Sequence, residues 1–377
     1  MHLAGYATPR GTDRFRRRFE EQFPGHFREF QGLWLSSIGI GTYLGEPNPT
    51  FDGLYREAVV DALEGGINVI DTAVNYRHQR SERAIGRAME AEISAGKVQR
   101  DEVVISTKGG FLNFDGDEPE DASDYFQRTL IDSGLVRLEE VVAGCHTMSP
   151  KYLENQIEVS RQNLGIATLD IYYLHNPETQ AAHVARGEFE RRMRAAFAVL
   201  EKAVGEGKIR IYGTATWNGY RVGLDSPEAL SLPGLLRLAE EVGSKDHHFR
   251  AIQLPYNLAM PEALSARTQR VDGKAVPVLQ VARAHGMLVF ASATLLQQKL
   301  TENLPEETHT WFPGLGNDAQ RAIQFVRSTP GIATALVGMS RREHVCENLQ
   351  TARIPPRNWA GAARVSPYDP GARAKEA

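Results

Sequence analysis

The sequence predicts a closed barrel of eight parallel β-strands, each followed by an α-helix. Three observations support this α/β fold class, the (β/α)8 TIM barrel. Apolar, β-rich runs alternate with helix-period segments from about residue 38 to residue 349. The runs number eight, and the 377 residues accommodate one barrel of about 250 residues with extensions. In order, the runs are SIGIGT, INVID, EVVIST, LDIYYLH, IRIYGTA, FRAIQLP, MLVFAS and ATALVG.

The intervening helices carry recognisable start and stop signals. ALEGGIN and ARAHGM each place a glycine after the last apolar position, which predicts a helix end. The segment SPEALSLPGLLRLAEEVG predicts a helix capped by Ser226, with Pro227 in its first turn. The main alternative fold, a doubly wound sheet, favours a GxGxxG turn after its first strand. Here Gly39-Ile40-Gly41 is followed by Thr42 without a third glycine in register, so the barrel is favoured.

Composition excludes several classes of partner. The chain is 42% hydrophobic and 24% charged, enough to bury a large core. A formal net charge of −4 gives no general attraction to nucleic acid or anionic membranes, and no apolar stretch is long enough to cross a bilayer. We therefore expect a small-molecule partner, no nucleic acid and no membrane.

Cysteine usage predicts a reducing, cytoplasmic location. Cys145 and Cys346 are far apart, which argues against a disulfide framework, and neither has metal-ligand spacing to another Cys or a His. We expect no metal site. The basic residues near the N-terminus are not followed by the apolar run of a secretory signal.

We predict a single domain over residues 1–377, with an N-terminal arm over 1–30, the barrel over 31–353 and an irregular tail over 354–377. The tail is rich in Pro, Gly, Ala and Arg. In the arm, three phenylalanines at helical spacing predict a short amphipathic helix packed on the barrel exterior: Phe15, Phe19 and Phe23. An organellar targeting helix is the alternative, opposed by the acidic pair at positions 20 and 21.

An insertion over about 111–149 separates the third strand from its helix. It contains six acidic residues between positions 115 and 124. Loops that follow barrel strands lie at the C-terminal face, so the insertion should overhang the reaction site. A lid, a partner surface and a solvated loop without a specific role all remain open.

Four ionisable side chains lie next to predicted strand ends: Asp71, Tyr76, Lys108 and His175. A parallel barrel brings such ends together, and this combination is what proton-coupled carbonyl chemistry requires. Each residue alone also has a structural explanation, such as a buried ion pair or a core tyrosine. All four at matching strand ends favour a catalytic site, and we predict an enzyme.

The motifs also resemble those of the aldo-keto reductase superfamily, in the family's order from about residue 27 to residue 350. The matching segments are GIGT, GGINVIDTAVNY, SERAIG, ISTKGG, NLGIATLDIYYLHNPE, GKIRIYGTATWN, IQLPYN and GMSRREHVCENL. The resemblance implies Tyr76 as general acid in carbonyl reduction, with Lys108 lowering its pKa and Asp71 pairing with Lys108. It implies that His175 orients the carbonyl oxygen, where hydride transfer builds negative charge.

The same resemblance implies a nicotinamide cofactor. Gln253 would bond the carboxamide, and Thr42 would lie near the ribose. A phosphate site is expected where the last helix opens, because a helix N-terminus with hydroxyl and guanidinium groups binds phosphate. NADPH is expected over NADH on this basis, unless the arginines only decorate a solvent-facing helix start. The residues of this group are Gly338, Ser340, Arg341, Arg342, Glu347 and Asn348.

Two departures from the family pattern affect the cofactor contacts. The fifth strand usually ends in Ser-Asn, but this chain has Ala215-Thr216, of which Thr216 alone can form a side-chain hydrogen bond. The seventh strand often supplies an aromatic residue that stacks on the nicotinamide, and here Ala291 is expected at that place. Phe290 and Trp217 are the alternatives for the missing ring, although strand alternation turns Phe290 the other way if Ala291 faces the cofactor. Ser292 remains an expected cofactor contact.

Aromatic residues on predicted loops would surround the mouth and stack on an apolar or sugar-like carbonyl compound, unless they pack their own loops. They are Tyr43, Trp217, Trp311 and Phe312. The resulting hypothesis is an NADPH-dependent oxidoreductase that interconverts aldehydes, ketones or sugars with alcohols, a monomer by family default. Two alternatives stay open: a cofactor-binding regulatory subunit, and a lyase or isomerase using Lys108 as a Schiff-base nucleophile.

Overall fold

The computed structural model describes residues 2–357 and contains twelve strands. In chain order they are β1 (Phe27–Phe30), β2 (Leu33–Ser36), β3 (Ile38–Gly41), β4 (Val69–Asp71), β5 (Val104–Gly109), β6 (Leu169–His175), β7 (Ile209–Ala215), β8 (Phe249–Pro255), β9 (Gln269–Val271), β10 (Lys274–Val276), β11 (Leu288–Ser292) and β12 (Thr334–Gly338). Eight of them form a closed barrel in the order β3-β4-β5-β6-β7-β8-β11-β12, and β12 pairs back onto β3. These eight are the predicted runs, so the predicted TIM barrel is confirmed.

Within the described part of the chain, thirteen α-helices accompany the strands. They are α1 (Pro9–Arg17), α2 (Pro49–Glu64), α3 (Arg80–Ser94), α4 (Ala122–Phe126), α5 (Pro150–Leu164), α6 (Glu178–His183), α7 (Arg186–Gly205), α8 (Leu232–Gly243), α9 (Glu262–Ser265), α10 (Val278–Ala284), α11 (Glu307–Trp311), α12 (Asp318–Arg327) and α13 (Arg342–Leu349). At least one helix follows each barrel strand, and the main ones, of 7 to 20 residues, pack their apolar faces on the outside of the sheet.

Helix punctuation agrees with the predictions at two ends and differs at one start. Gly65 follows α2, and Gly286 lies two residues after α10 with a positive φ of 58°. The start of α8 was predicted at Ser226, and this is wrong. Ser231 caps α8 by accepting a hydrogen bond from the Gly234 amide at 3.1 Å, whereas Ser226 begins a turn in which its carbonyl accepts from the Ala229 amide.

Strand register aligns the site residues. Asp71, the last residue of β4, lies opposite Gly41 of β3 and Ser106 of β5. His175 ends β6 opposite Ala215 of β7, which in turn pairs with a glutamine of β8. Because the strands are parallel, these carboxyl-terminal ends face one side of the barrel.

Two apolar clusters pack on opposite faces of the barrel sheet, one inside the barrel and one outside it. The interior cluster includes Val69, Val104 and Phe290, and the larger cluster between sheet and helices includes Ala291. Strand alternation therefore points Phe290 into the barrel and Ala291 toward the helices. The expectation that Ala291 occupies the stacking position on the cofactor side is wrong.

The N-terminal arm covers the opposite end of the barrel from the site. The Ala7 amide donates to Asp170 at the start of β6, and Leu3 bridges to Ile166 just before it. The hairpin of β1 and β2 lies across the predicted boundary between residues 30 and 31. The predicted amphipathic helix forms, but it ends at Arg17 rather than spanning all three phenylalanines.

Beyond Arg17 the chain turns, and the arm's phenylalanines pack against one another. The rings of Phe15 and Phe19 lie 5.1 Å apart, and Phe23 is also buried. Their helical spacing therefore reflects a shared apolar cluster rather than one continuous helix. At the other terminus, residues 354–357 form no helix or strand, and the remainder of the predicted tail, 358–377, lies outside the described residues.

The insertion over 111–149 is folded. It contains α4, capped by Asp121, then a wide helical turn over Gln127–Ile131 and a 3-10 turn over Leu138–Glu140. Leu130 and Val136 pack with a tyrosine of α5 in a small apolar cluster of their own. The insertion follows β5 and so lies at the C-terminal end of the barrel.

Candidate active site

A cavity of about 450 Å³ opens at the C-terminal ends of the barrel strands. The loops after β3, β4, β5, β6, β7 and β11 form its wall, which is the usual position of a reaction site in this architecture. Ten of the residues predicted from sequence line it: Thr42, Tyr43, Asp71, Tyr76, His175, Thr216, Trp217, Gln253, Ser292 and Gly338.

Beneath the cavity, Asp71 and Lys108 form a buried ion pair. Lys108 Nζ donates to Asp71 Oδ2 at 2.7 Å and to the Thr72 carbonyl at 2.6 Å. The Ser106 hydroxyl donates to Asp71 Oδ1 at 2.7 Å. Burial lowers the pKa of Lys108, although the charge of Asp71 acts in the opposite direction. Two hydrogen bonds therefore fix the position of the ammonium, which is easier to deprotonate than that of an exposed lysine.

Tyr76 lies above this pair, in the turn after β4. Its ring centroid is 5.0 Å from Lys108 Nζ, 5.0 Å from the Tyr43 ring and 5.8 Å from the His175 ring. Burial, with smaller contributions from Asp71 and Tyr43, raises the pKa of Tyr76 well above 10. In the free site the phenol is thus protonated and can act as a proton donor, because burial outweighs any lowering by Lys108.

His175 lies beside Tyr76 and completes the group of four predicted side chains. Its ring packs edge-on against Phe111, with centroids 5.0 Å apart. Burial and the nearby Lys108 and His146 lower the pKa of His175 well below 6.5, so the imidazole is neutral at pH 7. Within residues 2–357, no hydrogen-bond partner reaches its buried Nδ1. A neutral imidazole next to a phenol can donate one hydrogen bond to a ligand oxygen.

The predicted cofactor contacts on the barrel rim form a connected polar group. Gln253 Nε2 donates to Asp71 Oδ1 at 2.8 Å, and the Thr42 hydroxyl donates to the Asp71 carbonyl at 3.2 Å. The Thr216 hydroxyl donates to the Gln253 carbonyl at 3.5 Å. Gly338 borders the cavity without a side chain, which leaves room for a flat ligand along that wall.

The residues predicted for a phosphate lie at the start of α13, outside the cavity lining. Arg341 precedes the helix and is exposed, whereas Arg342 donates two hydrogen bonds to Asp61, at 2.6 and 2.9 Å. Ser340 is half-buried, Glu347 accepts from the Asn317 amide, and Asn348 is buried.

Of the four aromatic residues predicted at the mouth, the structure places two there. Tyr43 and Trp217 line the cavity and are 56% and 40% exposed. Trp311 and Phe312 do not line it. Phe312 is 2% exposed and belongs to the main apolar core, against which Trp311 also packs. Substrate contact by this pair would require their segment to move.

Several lining residues were not predicted from sequence. Asn75 precedes Tyr76, Phe111 begins the insertion, and Asn176 follows His175 with a positive φ of 46°. The loop after β11 contributes Gln297 and Gln298, also at positive φ. Non-glycine residues in this conformation often occur at functional sites. The two asparagines could have been found from the sequence, because each is adjacent to a predicted site residue.

Two other properties of the described residues concern metals and membranes. In residues 2–357, no group of three or more His, Cys, Asp or Glu side chains is arranged to hold a metal ion. The helices in that range include none with the length and apolarity needed to span a bilayer.

Comparison with known proteins identifies a family match. A sequence model of the "Aldo/keto reductase family" matches residues 37–310. An "NADH-specific methylglyoxal reductase" of Escherichia coli (strain K12) is 30% identical over 188 residues, covering 48% of this chain and 49% of that protein. A "putative voltage-gated potassium channel subunit beta" of Schizosaccharomyces pombe is 21% identical over 367 residues, covering 88% of both. The chain thus spans about half of the first relative's length.

Solved structures agree on the fold. An aldo/keto reductase from Klebsiella pneumoniae in complex with NADP and acetate superposes with a TM-score of 0.60, at 21% identity, over 92% of this chain and 96% of that one. The holo form of a Bacillus halodurans aldo-keto reductase gives 0.59 at 18% identity, over 90% and 94%. At these identities the similarity establishes the barrel architecture.

Proposed function

This chain belongs to the aldo/keto reductase family, and from this membership we propose that it is an NADPH-dependent oxidoreductase interconverting aldehydes or ketones, sugars among them, with alcohols. The observation that carries the proposal is the group formed by Tyr76, Lys108 and His175. A protonated phenol lies 5.0 Å, centroid to Nζ, from a buried ammonium and beside a neutral imidazole at the floor of a cavity. A carbonyl that gains a hydride needs such a proton donor and a hydrogen-bond donor at its oxygen.

Each protein group has a distinct task in this proposal. Tyr76 donates the proton to the developing alkoxide, and the Lys108 ammonium stabilises the phenolate that remains. Asp71 holds Lys108 in place, and Ser106 and Gln253 hold Asp71. His175 donates a hydrogen bond that orients the carbonyl. NADPH, when bound, supplies the hydride.

The cavity has the features that such a cofactor requires. The hydroxyl and amide groups of Thr42, Thr216, Gln253 and Ser292 line one side, and Gly338 leaves that wall flat. Arg341 is exposed at the start of α13, where a 2′-phosphate would find a guanidinium and the amide groups of a first turn that no side chain within residues 2–357 caps. Two structures of Klebsiella pneumoniae aldo-keto reductases hold NADP and NADPH, respectively, whereas the Escherichia coli relative is NADH-specific. We favour NADPH because of Arg341.

One comparison favours a second candidate function, a cofactor-binding regulatory subunit. The Schizosaccharomyces pombe relative, a putative channel subunit, aligns over 88% of this chain. The complete group of Asp71, Tyr76, Lys108 and His175 argues for turnover instead. The lyase hypothesis loses support, because Lys108 is fully buried and already donates to Asp71 and the Thr72 carbonyl.

The experiment that tests the proposal measures NADPH and NADH oxidation by the purified protein with a panel of aldehydes, ketones and reducing sugars. Tyr76→Phe is compared with Tyr6→Phe, whose ring packs under Arg210 at the far end of the barrel. We expect turnover with NADPH that falls at least about a hundredfold in Tyr76→Phe and is unchanged in Tyr6→Phe. Tight NADPH binding without turnover would support the regulatory subunit, and absence of binding would contradict the cofactor assignment.

A further inference from the structure

His146 lies near the end of the insertion and is completely buried beside the site. Its ring packs edge-on against Phe111 with centroids 5.0 Å apart, and Phe111 packs in the same way against His175. The backbone of His146 forms antiparallel bridges to Phe111 and Val142. The two ends of the insertion are therefore joined next to the imidazole that is assigned to carbonyl binding.

A chain of hydrogen bonds connects α7 to the end of β6 through His146. Arg192 Nη1 donates to Gln180 Oε1 at 2.6 Å, and Gln180 Nε2 lies 3.0 Å from His146 Nδ1. His146 Nε2 lies 2.7 Å from the His175 carbonyl oxygen. Gln180 and His146 are both fully buried, so these groups are shielded from competing water.

The donor and acceptor groups of these hydrogen bonds fix the direction in which each bond is donated. Arginine can only donate, so the oxygen of Gln180 faces Arg192 and its amide nitrogen faces His146. His146 Nδ1 must then accept, which places the single proton of the neutral ring on Nε2. This proton is donated to the His175 carbonyl. The low pKa of His146, about 4 because of burial, is consistent with a neutral ring.

Gly110 permits this arrangement. A side-chain carbon at Gly110 would lie 2.9 Å from His146 Nε2 and 3.2 Å from the His175 carbonyl oxygen, and Gly110 has a φ of +138°. The backbone at Gly110 therefore passes directly beside the hydrogen bond between His146 and the His175 carbonyl. The Gly110 carbonyl accepts from the Thr147 amide at 2.8 Å, which adds a second connection between the ends of the insertion.

We propose that His146 is a positioning residue, which holds the end of β6 and Phe111 so that the His175 imidazole faces the carbonyl, and that the insertion is a fixed wall of the site. His175 needs such support because its Nδ1 has no partner within residues 2–357 and its ring is held by packing against Phe111 and Tyr76. Arg192 also donates to the Glu139 and Glu140 carbonyls at 3.2 and 3.4 Å, which ties the last third of the insertion to α7. These anchors argue against a mobile lid.

The inference rests on the proposed reductase activity, and its test compares His146→Ala with His146→Gln. His183→Ala is the matched control, since His183 is exposed on α6. We expect His146→Ala to lower kcat about 10- to 100-fold while the Kd for NADPH stays within about twofold. His146→Gln should recover most of kcat, because its amide can donate to the same carbonyl. Tm measured for both variants separates positioning from stability, since equal Tm losses with unequal kcat require a positioning role.

Two outcomes would overturn the inference. One is kcat within about twofold of wild type in His146→Ala, and the other is an equal loss of kcat in the Gln and Ala variants of a folded protein. If wild type turns over no substrate, the proposed function fails, and ¹⁵N spectra of histidine-labelled protein still test His146. They should show the proton on Nε2 and a shifted His175 signal in His146→Ala. A proton on Nδ1, or an unshifted His175 signal, would contradict the positioning role.

Discussion

The two ends of the barrel each bury one aspartate paired with a cation at 2.7 Å, yet the pairs are built differently. At the site end, Asp71 pairs with Lys108, and at the opposite end Asp170 pairs with Arg100. The four side chains are all at most 7% exposed. Distance and burial therefore do not distinguish the two pairs.

The partners of the two aspartates do distinguish them. Asp170 accepts from the main-chain amides of Ala7 and Ile105, and Arg100 donates to the carbonyls of Val103 and Thr168. Main-chain groups cannot change partners without local unfolding. This pair therefore ties the N-terminal arm, β5 and β6 together.

Asp71, by contrast, accepts from three side chains, those of Lys108, Ser106 and Gln253. Side chains can rotate toward a ligand while the backbone stays in place. In this protein, the pair whose carboxylate accepts from main-chain amides joins the arm to the barrel, whereas the pair whose carboxylate accepts from side chains lies beneath the cavity.

The largest expected effect is on activity, in Asp71→Asn. Without the carboxylate, the buried Lys108, whose pKa burial already lowers, can release its proton and remain in place as a neutral amine. The phenolate of Tyr76 then loses its counter-charge, and we expect kcat to fall about a thousandfold. Because the lysine neutralises, unfolding free energy should fall by only about 1 kcal/mol. Steady-state kinetics and urea titration measure the two quantities, and a larger loss of stability than of activation free energy would contradict the distinction.

The next largest effect is on stability, in Asp170→Asn. The variant leaves the buried guanidinium of Arg100 without a counter-charge, which costs about 3 kcal/mol or more. The folded enzyme should retain kcat within about twofold, since Asp170 lies at the far end from the cavity. Asp124→Asn is the control, because Asp124 pairs with Arg128 on the surface of the insertion, where both side chains are more than half exposed, and exposed pairs contribute at most about 1 kcal/mol. Equal losses in the two variants would show that the buried pair is not structural.

The sequence predicts one end of the barrel far better than the other. Asp71, Tyr76, Lys108 and His175 are recognisable because each follows an apolar run, and a parallel barrel brings such positions together. The pairing of Arg100 with Asp170, 70 residues apart, follows no local pattern, because it depends on how the arm and two strands meet.

Other differences have local physical causes. Phe111 and His146 reach the site only because the ends of the insertion pair with each other, a contact that depends on Gly110 and the bridge between them. The helix prediction at Ser226 failed because Ser231 offers a second cap, with Pro233 in the first turn of α8 after it. The helical spacing of the phenylalanines continues past Arg17, where α1 ends, because the later phenylalanines of the arm pack on the same apolar cluster after a turn.

A third effect, smaller again, is the pH dependence of stability at the far end of the barrel. His26 is fully buried, with its Nε2 3.1 Å from the Gly66 carbonyl oxygen and its Nδ1 3.1 Å from Ser37 Oγ. Burial, together with the charges of Arg327 and Arg28, lowers its pKa to about 3. The unfolded chain binds this proton below about pH 6.5, whereas the folded protein binds it only near pH 3, so stability is lost as pH falls through this range.

The shift in the pKa of His26 sets the size of the expected change in unfolding free energy. Between pH 7 and pH 5 the unfolded state gains about 2 kcal/mol from protonating one such histidine. We expect His26→Gln to lose about 2 kcal/mol less than wild type over this interval in urea titrations. The catalytic rate at pH 7 should be unchanged, because His26 lies far from the cavity. An identical pH dependence in the two proteins would mean that His26 binds its proton over the same pH range in the folded and the unfolded states.

The smallest expected effect compares one tryptophan from each end. Trp34, in the hairpin, lies under the Arg16 guanidinium at 4.3 Å from its ring centroid, whereas Trp217 lines the cavity and is 40% exposed. The Trp217 amide donates to Glu178 Oε1 at 2.6 Å, which fixes its backbone and leaves the ring free to contact a ligand. Trp217→Ala should therefore raise KM for bulky aldehydes about tenfold, equivalent to about 1.4 kcal/mol, with little change in kcat. Trp34→Ala should instead lower unfolding free energy by at least about 1 kcal/mol without changing KM, because it removes a cation–π contact and packing against the apolar core but no ligand surface. If Trp217→Ala changed stability but not KM, its ring would pack its own loop, and the wall of the cavity that selects substrates would have to be sought at Tyr43 or Phe111 instead.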